Sequence, residues 1–233
     1  MDPSYFTAPC CAQLAGAYIA AGGAATGVAL LFCPGDAVQG DQRAMYSRGW
    51  QTELLTAPVV NPVWCLGSCI CSPCAQYSLR YRALGGNMAA YRCCQGYFDF
   101  PPCFQSGRCG DEGSDMCLLV EVCLCPMFAV QATRFYMMDT RSIAPSPTDN
   151  KLLRCSNFLQ SMACLCEVAA CLCGDGYDAA ATVRIVADSF FFSLIACMSA
   201  QVATELDAER KGGAPARQPG MAPEPMQMNR QYV

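Results

Sequence analysis

Twenty cysteines and no histidine in 233 residues constrain this chain more than any other feature. Without imidazole, the commonest general base and metal ligand is missing, so a soft metal would have to be held largely by thiolates. Ser-His and Cys-His nucleophile pairs are excluded outright. The chain therefore reads as a thiol-rich protein and not as an enzyme. The thiols cluster at Cys65, Cys69, Cys71 and Cys74, at Cys93-Cys94, at Cys103, Cys109 and Cys117, at Cys123 and Cys125, and at Cys164, Cys166, Cys171 and Cys173.

Hydrophobic residues make up 53% and charged residues 15% of the chain, against about 25% charged in an ordinary globular domain. Mean hydropathy is +0.21. That is more apolar surface than one small core needs, so part of it is expected to face lipid or a partner chain. A net charge of -4 argues against nucleic acid as a partner. Asp2 and the lack of a basic leading segment make the N-terminus a poor secretory signal. A reducing, cytosol-facing setting for the cysteine module follows. There thiols act as metal ligands, acylation sites or small buried hydrophobes, with disulfides open if a membrane segment carries a loop across.

The organisation reads in three parts. Residues 1–62 hold an uncharged Ala/Gly-rich stretch at 8–35 and a polar linker. The stretch is long enough to span a bilayer, which takes about 20 apolar residues, but weak in insertion energy, and a poorly ordered leader competes with that reading. Residues 63–210 form the cysteine-rich domain. Its first part, 63–117, is punctuated by proline and glycine and reads as loop-rich, with a short helix at 74–84 projecting Arg80 and Arg82 to water or headgroups. Residues 211–233 read as a disordered Pro/Gly/Met-rich tail.

Helical patterns follow from Met116 to Met138, with Pro126 as a kink, then over 152–173 as an amphipathic helix ended by Gly174-Asp175-Gly176, then over 179–210. Glu121, Glu167 and Asp188 interrupt these apolar stretches. An acid in lipid costs about 2.5–3.5 kcal/mol on insertion scales, so the helices are expected to pack together at a membrane, some re-entrant, and not to cross it independently. The fold class is thus mainly α: a loop-rich cysteine module followed by packed hydrophobic and amphipathic helices at a membrane.

Candidate metal ligands are Cys65, Cys69, Cys71, Cys74, Cys93, Cys94 and Cys109, with Zn2+ on thiolates as the cofactor they would take. Only Cys71-Ser72-Pro73-Cys74 is a clean CxxC, and no second knuckle follows it; packed thiols or disulfides are the competing reading. Cys164 and Cys171 share a helix face but lie about 10 Å apart along the axis, too far to share one ion, and read as packing residues. Glu121, Glu167 and Asp188 are possible cation contacts, with a solvated polar stripe as the alternative. A CxxC redox pair at 71–74 is the weakest reading, since no thioredoxin-like βαβ pattern surrounds it.

The run CLGSCICSPCAQYSLRYRALGGNMAAYRCCQGY at 65–97 resembles the cysteine-rich family named after placenta-specific gene eight, in its plant and protist branch. Ser106-Gly107-Arg108-Cys109-Gly110, CLLVEVCLC with ATRF at 117–135, and Ala187-Asp188, Cys197, Gln201 and Glu205 follow in the family's order. The resemblance covers about 63–210. It departs where CICSPC stands for the usual CPC signature and where Cys197 lacks a second cysteine beside it. It implies a membrane-associated, often oligomeric protein at the plasma membrane or an organelle membrane, tied to divalent-metal handling or growth-related signalling. Its implied partners are membrane lipid and further copies or other membrane subunits. A structural or accessory subunit of a larger membrane complex is the alternative.

Overall fold

The computed structural model describes residue 35 and residues 41–100, 104–105 and 113–212. The Ala/Gly stretch up to residue 34, Cys103, Cys109 and the tail from 213 lie outside the described residues. The chain is mainly helical, as expected. In order come a 3-10 turn Gln42–Met45, α1 (Ala57–Val60), α2 (Pro62–Ile70), α3 (Ser72–Ala83), two short 3-10 turns, a minimal hairpin of β1 (Asp99–Phe100) and β2 (Phe104–Gln105), α4 (Asp115–Leu124), α5 (Pro126–Arg141), α6 (Pro147–Cys173) and α7 (Tyr177–Gly212).

Prolines start helices here more than they break them. Pro62 opens α2, Pro126 opens α5, Pro147 opens α6, and Pro73 is the second residue of α3. In the first turn the missing N–H has no helical partner to lose, and the ring pre-sets φ. The cysteine module therefore begins as two helices, and among the described residues its loop-rich part lies in 84–100 and 113–114. At Pro126 the expected kink is a full break: α4 and α5 meet at 119°.

The described residues divide into two compact units: 41–146 with 195–212, and Gly35 with 147–194. In the first, α3 packs against α2, α4 and α5. Leu79, Ala83, Met137, Val202, Ala203 and Leu206 form one core cluster, with Trp50 and Trp64 against it. Leu84, Tyr91, Leu118, Val122 and Ala129 form a second, and Tyr136 touches both. Residues 41–56, read from sequence as linker, belong to this unit. Glu205 is fully buried, accepts from the Gln51 amide at 3.0 Å and pairs with Arg48, while Gln201 donates to the Thr52 carbonyl at 3.0 Å. Asp139 gathers the same segment, accepting from Arg43 at 2.7 and 2.9 Å, Tyr46 at 3.2 Å and Tyr97 at 2.7 Å.

The second unit is a helical hairpin, α6 running into the first half of α7 through the glycine turn, where Gly174 and Gly176 have φ of +74° and +87°. Arg184 holds Glu167 in a forked ion pair, Nε to Oε1 at 2.7 Å, and Gln160 donates to Asp188 at 3.1 Å. That register puts Ala163 level with Ala187 and Ala170 level with Ala180, and all four are buried. Small residues at such positions let helix backbones approach closely. The other face of α6 is open: Phe158, Cys164, Leu165, Val168, Cys171, Leu172 and Cys173 are exposed. The helical thiols at 164–173 were expected to pack in a core or between helices; Cys155 is buried, Cys166 is half-buried, and Cys164, Cys171 and Cys173 are exposed. Both α6 and α7 are long and apolar enough to cross a membrane. The expectation that Glu167 and Asp188 forbid this treated each acid alone, whereas Arg184 answers both, reaching Asp188 at 4.0 Å.

Candidate functional site

Arg80 and Glu121 organise the site. Arg80 was expected at the surface; it is instead 1% exposed in the centre of the first unit. Its Nε donates to Thr133 Oγ1 at 2.8 Å, and Nη2 donates to the Ala129 carbonyl at 2.8 Å and to Glu121 Oε1 at 3.0 Å. Arg82, one position past Tyr81 on α3, is half-buried, pairing with Asp207 and lying over the Trp64 ring at 5.2 Å. A buried charge needs a partner and further hydrogen bonds, and Glu121 is that partner.

The second oxygen of Glu121 faces the vicinal cysteines. Oε2 accepts from the Tyr91 hydroxyl at 2.9 Å and from the Cys94 amide at 2.7 Å. Cys94 and Gln95 have φ of +47° and +49°, a left-handed conformation uncommon for side-chain-bearing residues and concentrated at functional sites. Gln95 braces the turn by accepting from the Arg92 amide at 2.8 Å. The result aims both thiols at the carboxylate. One ligand atom each from Cys93, Cys94 and Glu121 lies within 4.8 Å of the others, and Cys94 and Glu121 are buried.

The thiols are differentiated. Hydrogen bonding from Cys94 lowers the Cys93 thiol below its usual range. The Cys94 thiol is raised by that same bond, by burial and by Glu121. Burial also pushes the Tyr91 hydroxyl up, so it remains a donor to Glu121. Cys117 hydrogen-bonds Tyr91 and Cys93; it lies four residues before Glu121, one helical turn away on the same face of α4.

No family model, curated protein or solved structure matches the chain.

The sequence candidates thus separate into sets. Cys93, Cys94 and Glu121 come together. Cys65 and Cys69 hydrogen-bond one another on α2, which drops the Cys69 thiol to about 7 and raises that of Cys65. Cys71 and Cys74 are joined as a disulfide, and a disulfide offers no thiolate to a metal, so in this state they leave the ligand set. Glu167 and Asp188 are engaged by Arg184 and Gln160, which satisfies them without a cation. Cys109 lies outside the described residues. Arg80, Tyr91 and Cys117 were missed as parts of the site. The Cys117–Glu121 spacing was a visible signal, whereas the approach of Arg80 and Tyr91 is tertiary.

The Cys93–Cys94–Glu121 group fits a divalent cation on charge. Two thiolates and a carboxylate beside one guanidinium leave a net charge of minus two, which a divalent ion cancels. The carboxylate has about four lone-pair positions; its three protein donors leave one free on Oε1, and a metal bond to Oε2 would displace Tyr91 or the Cys94 amide.

Proposed function

We propose that this chain is a membrane-associated, non-enzymatic, cysteine-rich protein that handles soft divalent metal ions, with Cys93, Cys94 and Glu121 as the ligands and Cys117 adjacent to them. The observation that carries the reading is the convergence of those three ligand atoms within 4.8 Å. Thiolate-rich sets favour zinc and other soft ions over magnesium or calcium. The resemblance to the placenta-specific gene eight family supports the same reading, through that family's tie to divalent metals. Membrane association is supported by α6 and α7, each long and apolar enough to cross, and by the exposed apolar face of α6.

The test uses the full chain, purified from membranes in detergent under reductant. Zinc and cadmium are titrated, with metal counted per chain and the cadmium–thiolate charge-transfer band followed. One ion per chain is expected, lost in a Cys93→Ser/Cys94→Ser variant and retained in Cys65→Ser/Cys69→Ser. Binding that survives the first variant, or no binding at all, overturns the assignment. The open face of α6 favours a second reading, an accessory subunit whose apolar helix is covered by a partner; stoichiometric co-purification with another membrane protein, without bound metal, would establish it.

A further inference from the structure

The disulfide lies at a special place in the chain. Cys71 is at once the residue that closes α2 and the residue that opens α3, and Cys74 sits in the first turn of α3. Their Cα atoms are 5.4 Å apart. The preceding turn and a half of α2 carries a second thiol pair, Cys65 and Cys69, hydrogen-bonded side chain to side chain. Four cysteines in ten residues therefore form one bonded pair and one free pair, side by side.

The spacings suit exchange between the pairs. Cys65 and Cys69 are one helical turn apart, which places their Cα atoms about 6 Å from each other, within the Cα range of a disulfide. Closing the bond draws their Cβ atoms in from about 5–6 Å to about 4 Å, so the end of α2 must give locally. Cys69 and Cys71 are separated by two peptide units, so their Cα atoms are at most about 7.6 Å apart, at a bend where Cys71 leaves helical geometry (φ -139°, ψ 80°). The attacking Cys69 and the leaving Cys74 are exposed, and Cys71, the sulfur attacked, is half-buried. The disulfide also borders an open depression lined by Val63, Trp64, Gly67, Ala75 and Ser78. A side chain at Gly67 would meet nothing within 4 Å, so this approach to the sulfurs is clear.

We propose that Cys65, Cys69, Cys71 and Cys74 form a two-pair thiol–disulfide exchange centre, in which the Cys65/Cys69 dithiol and the Cys71–Cys74 disulfide interconvert within the chain. The Cys69 thiol gives its proton to solvent, and the thiolate attacks Cys71 Sγ. A Cys69–Cys71 bond forms as the Cys71–Cys74 bond breaks, and the electron pair departs on Cys74. Cys65 then loses its proton and attacks Cys69 Sγ, forming Cys65–Cys69 and releasing Cys71 as thiolate. Protonation of Cys71 and Cys74 takes up the two protons lost, so two electrons pass between the pairs with no outside oxidant or reductant. The Cys71 thiolate is released at the N-terminus of α3, where backbone N–H groups stabilise a thiolate. The centre is separate from Cys93, Cys94 and Glu121, and it does not depend on the metal reading.

The experiment uses the full chain, fully reduced, freed of reductant and given one equivalent of oxidised glutathione per chain. Samples are quenched with N-ethylmaleimide over time, and the disulfides are mapped by peptide mass spectrometry. Cys71–Cys74 and Cys65–Cys69 peptides should both appear and settle to a ratio independent of protein concentration. A Cys65→Ser/Cys74→Ser variant, checked for retained helix content by circular dichroism, should accumulate the Cys69–Cys71 disulfide. Cys71–Cys74 alone at every time, with Cys65 and Cys69 always alkylated, overturns the proposal. So does a folded double variant that never joins Cys69 to Cys71.

Discussion

Arg80 Nη2 lies 3.0 Å from Glu121 Oε1, and the two side chains are 1% and 2% exposed. The pair joins α3 to α4 and sits at the back of the vicinal thiols, so it carries both packing and the electrostatics of the candidate metal group. Breaking one side leaves an uncompensated buried charge, which costs about 3–5 kcal/mol. Glu121→Gln should therefore lower unfolding free energy by about that amount in urea titrations. Replacing both partners, as in Arg80→Met with Glu121→Leu, should recover most of the loss, because no charge is left stranded. A double variant as unstable as the single one would show that the pair's worth lies elsewhere.

Asp139 accepts from Arg43, Tyr46 and Tyr97, and so ties residues 41–46 to α5. Asp139→Asn removes the charge and one acceptor geometry; a loss of about 3 kcal/mol is expected. Limited proteolysis near residue 43 should accelerate in the same variant. Unchanged cleavage there would mean that this segment is held by Glu205 and Gln201 instead.

Cys69 gives a pH dependence with a definite sign. Its thiol is lowered from 9.0 to about 7 by the hydrogen bond from Cys65. The thiolate population, and with it the rate of alkylation, should rise between pH 6 and 8 with its midpoint near 7. The stability it contributes is full above the ordinary thiol value and is lost as pH falls through about 7. In Cys65→Ala the midpoint should move back toward 9. At pH 7 the smaller thiolate fraction outweighs the gain in intrinsic nucleophilicity, and labelling should slow roughly five- to tenfold. A midpoint unchanged in Cys65→Ala would rule out the Cys65–Cys69 bond as the cause.

The alanine register of the hairpin predicts a steric asymmetry. Ala163→Leu forces extra methylenes between α6 and α7 and should cost about 1–3 kcal/mol. Leu165→Ala, on the open face two residues away, should cost well under 1 kcal/mol in thermal denaturation in detergent. Equal effects would indicate that the open face is covered in the purified protein.

Elements with local signals were readable in the sequence. The break at Pro126, the stop at Gly174-Asp175-Gly176 and the long helices on either side each rest on a few adjacent residues. The helix at 62–70 was hidden because proline marks helix starts and loops alike, and nothing in Pro62 or Pro73 alone says which. Arg80 looked like a surface residue because its partner is 41 positions away. The pairing of Cys93-Cys94 with Glu121 was likewise invisible, since two consecutive left-handed residues create it and neither is a glycine. Gln201 and Glu205 stood out as part of the family-like block, yet their work of holding residues 48–52 depends on long-range contact.

Arg184 has one further consequence. It is the basic residue that answers the acids of both hairpin helices, forking to Glu167 on α6 and reaching Asp188 on its own helix. α6 entering an apolar phase alone would carry Glu167 without its Arg184 partner, at a cost of several kcal/mol, whereas α7 brings Arg184 and Asp188 together on one helix. Together, Glu167 gains the Arg184 fork on the hairpin surface, and the three groups share a net charge of minus one. α6 would thus enter a bilayer more readily beside α7 than ahead of it, since residue 184 lies on the helix that is made second.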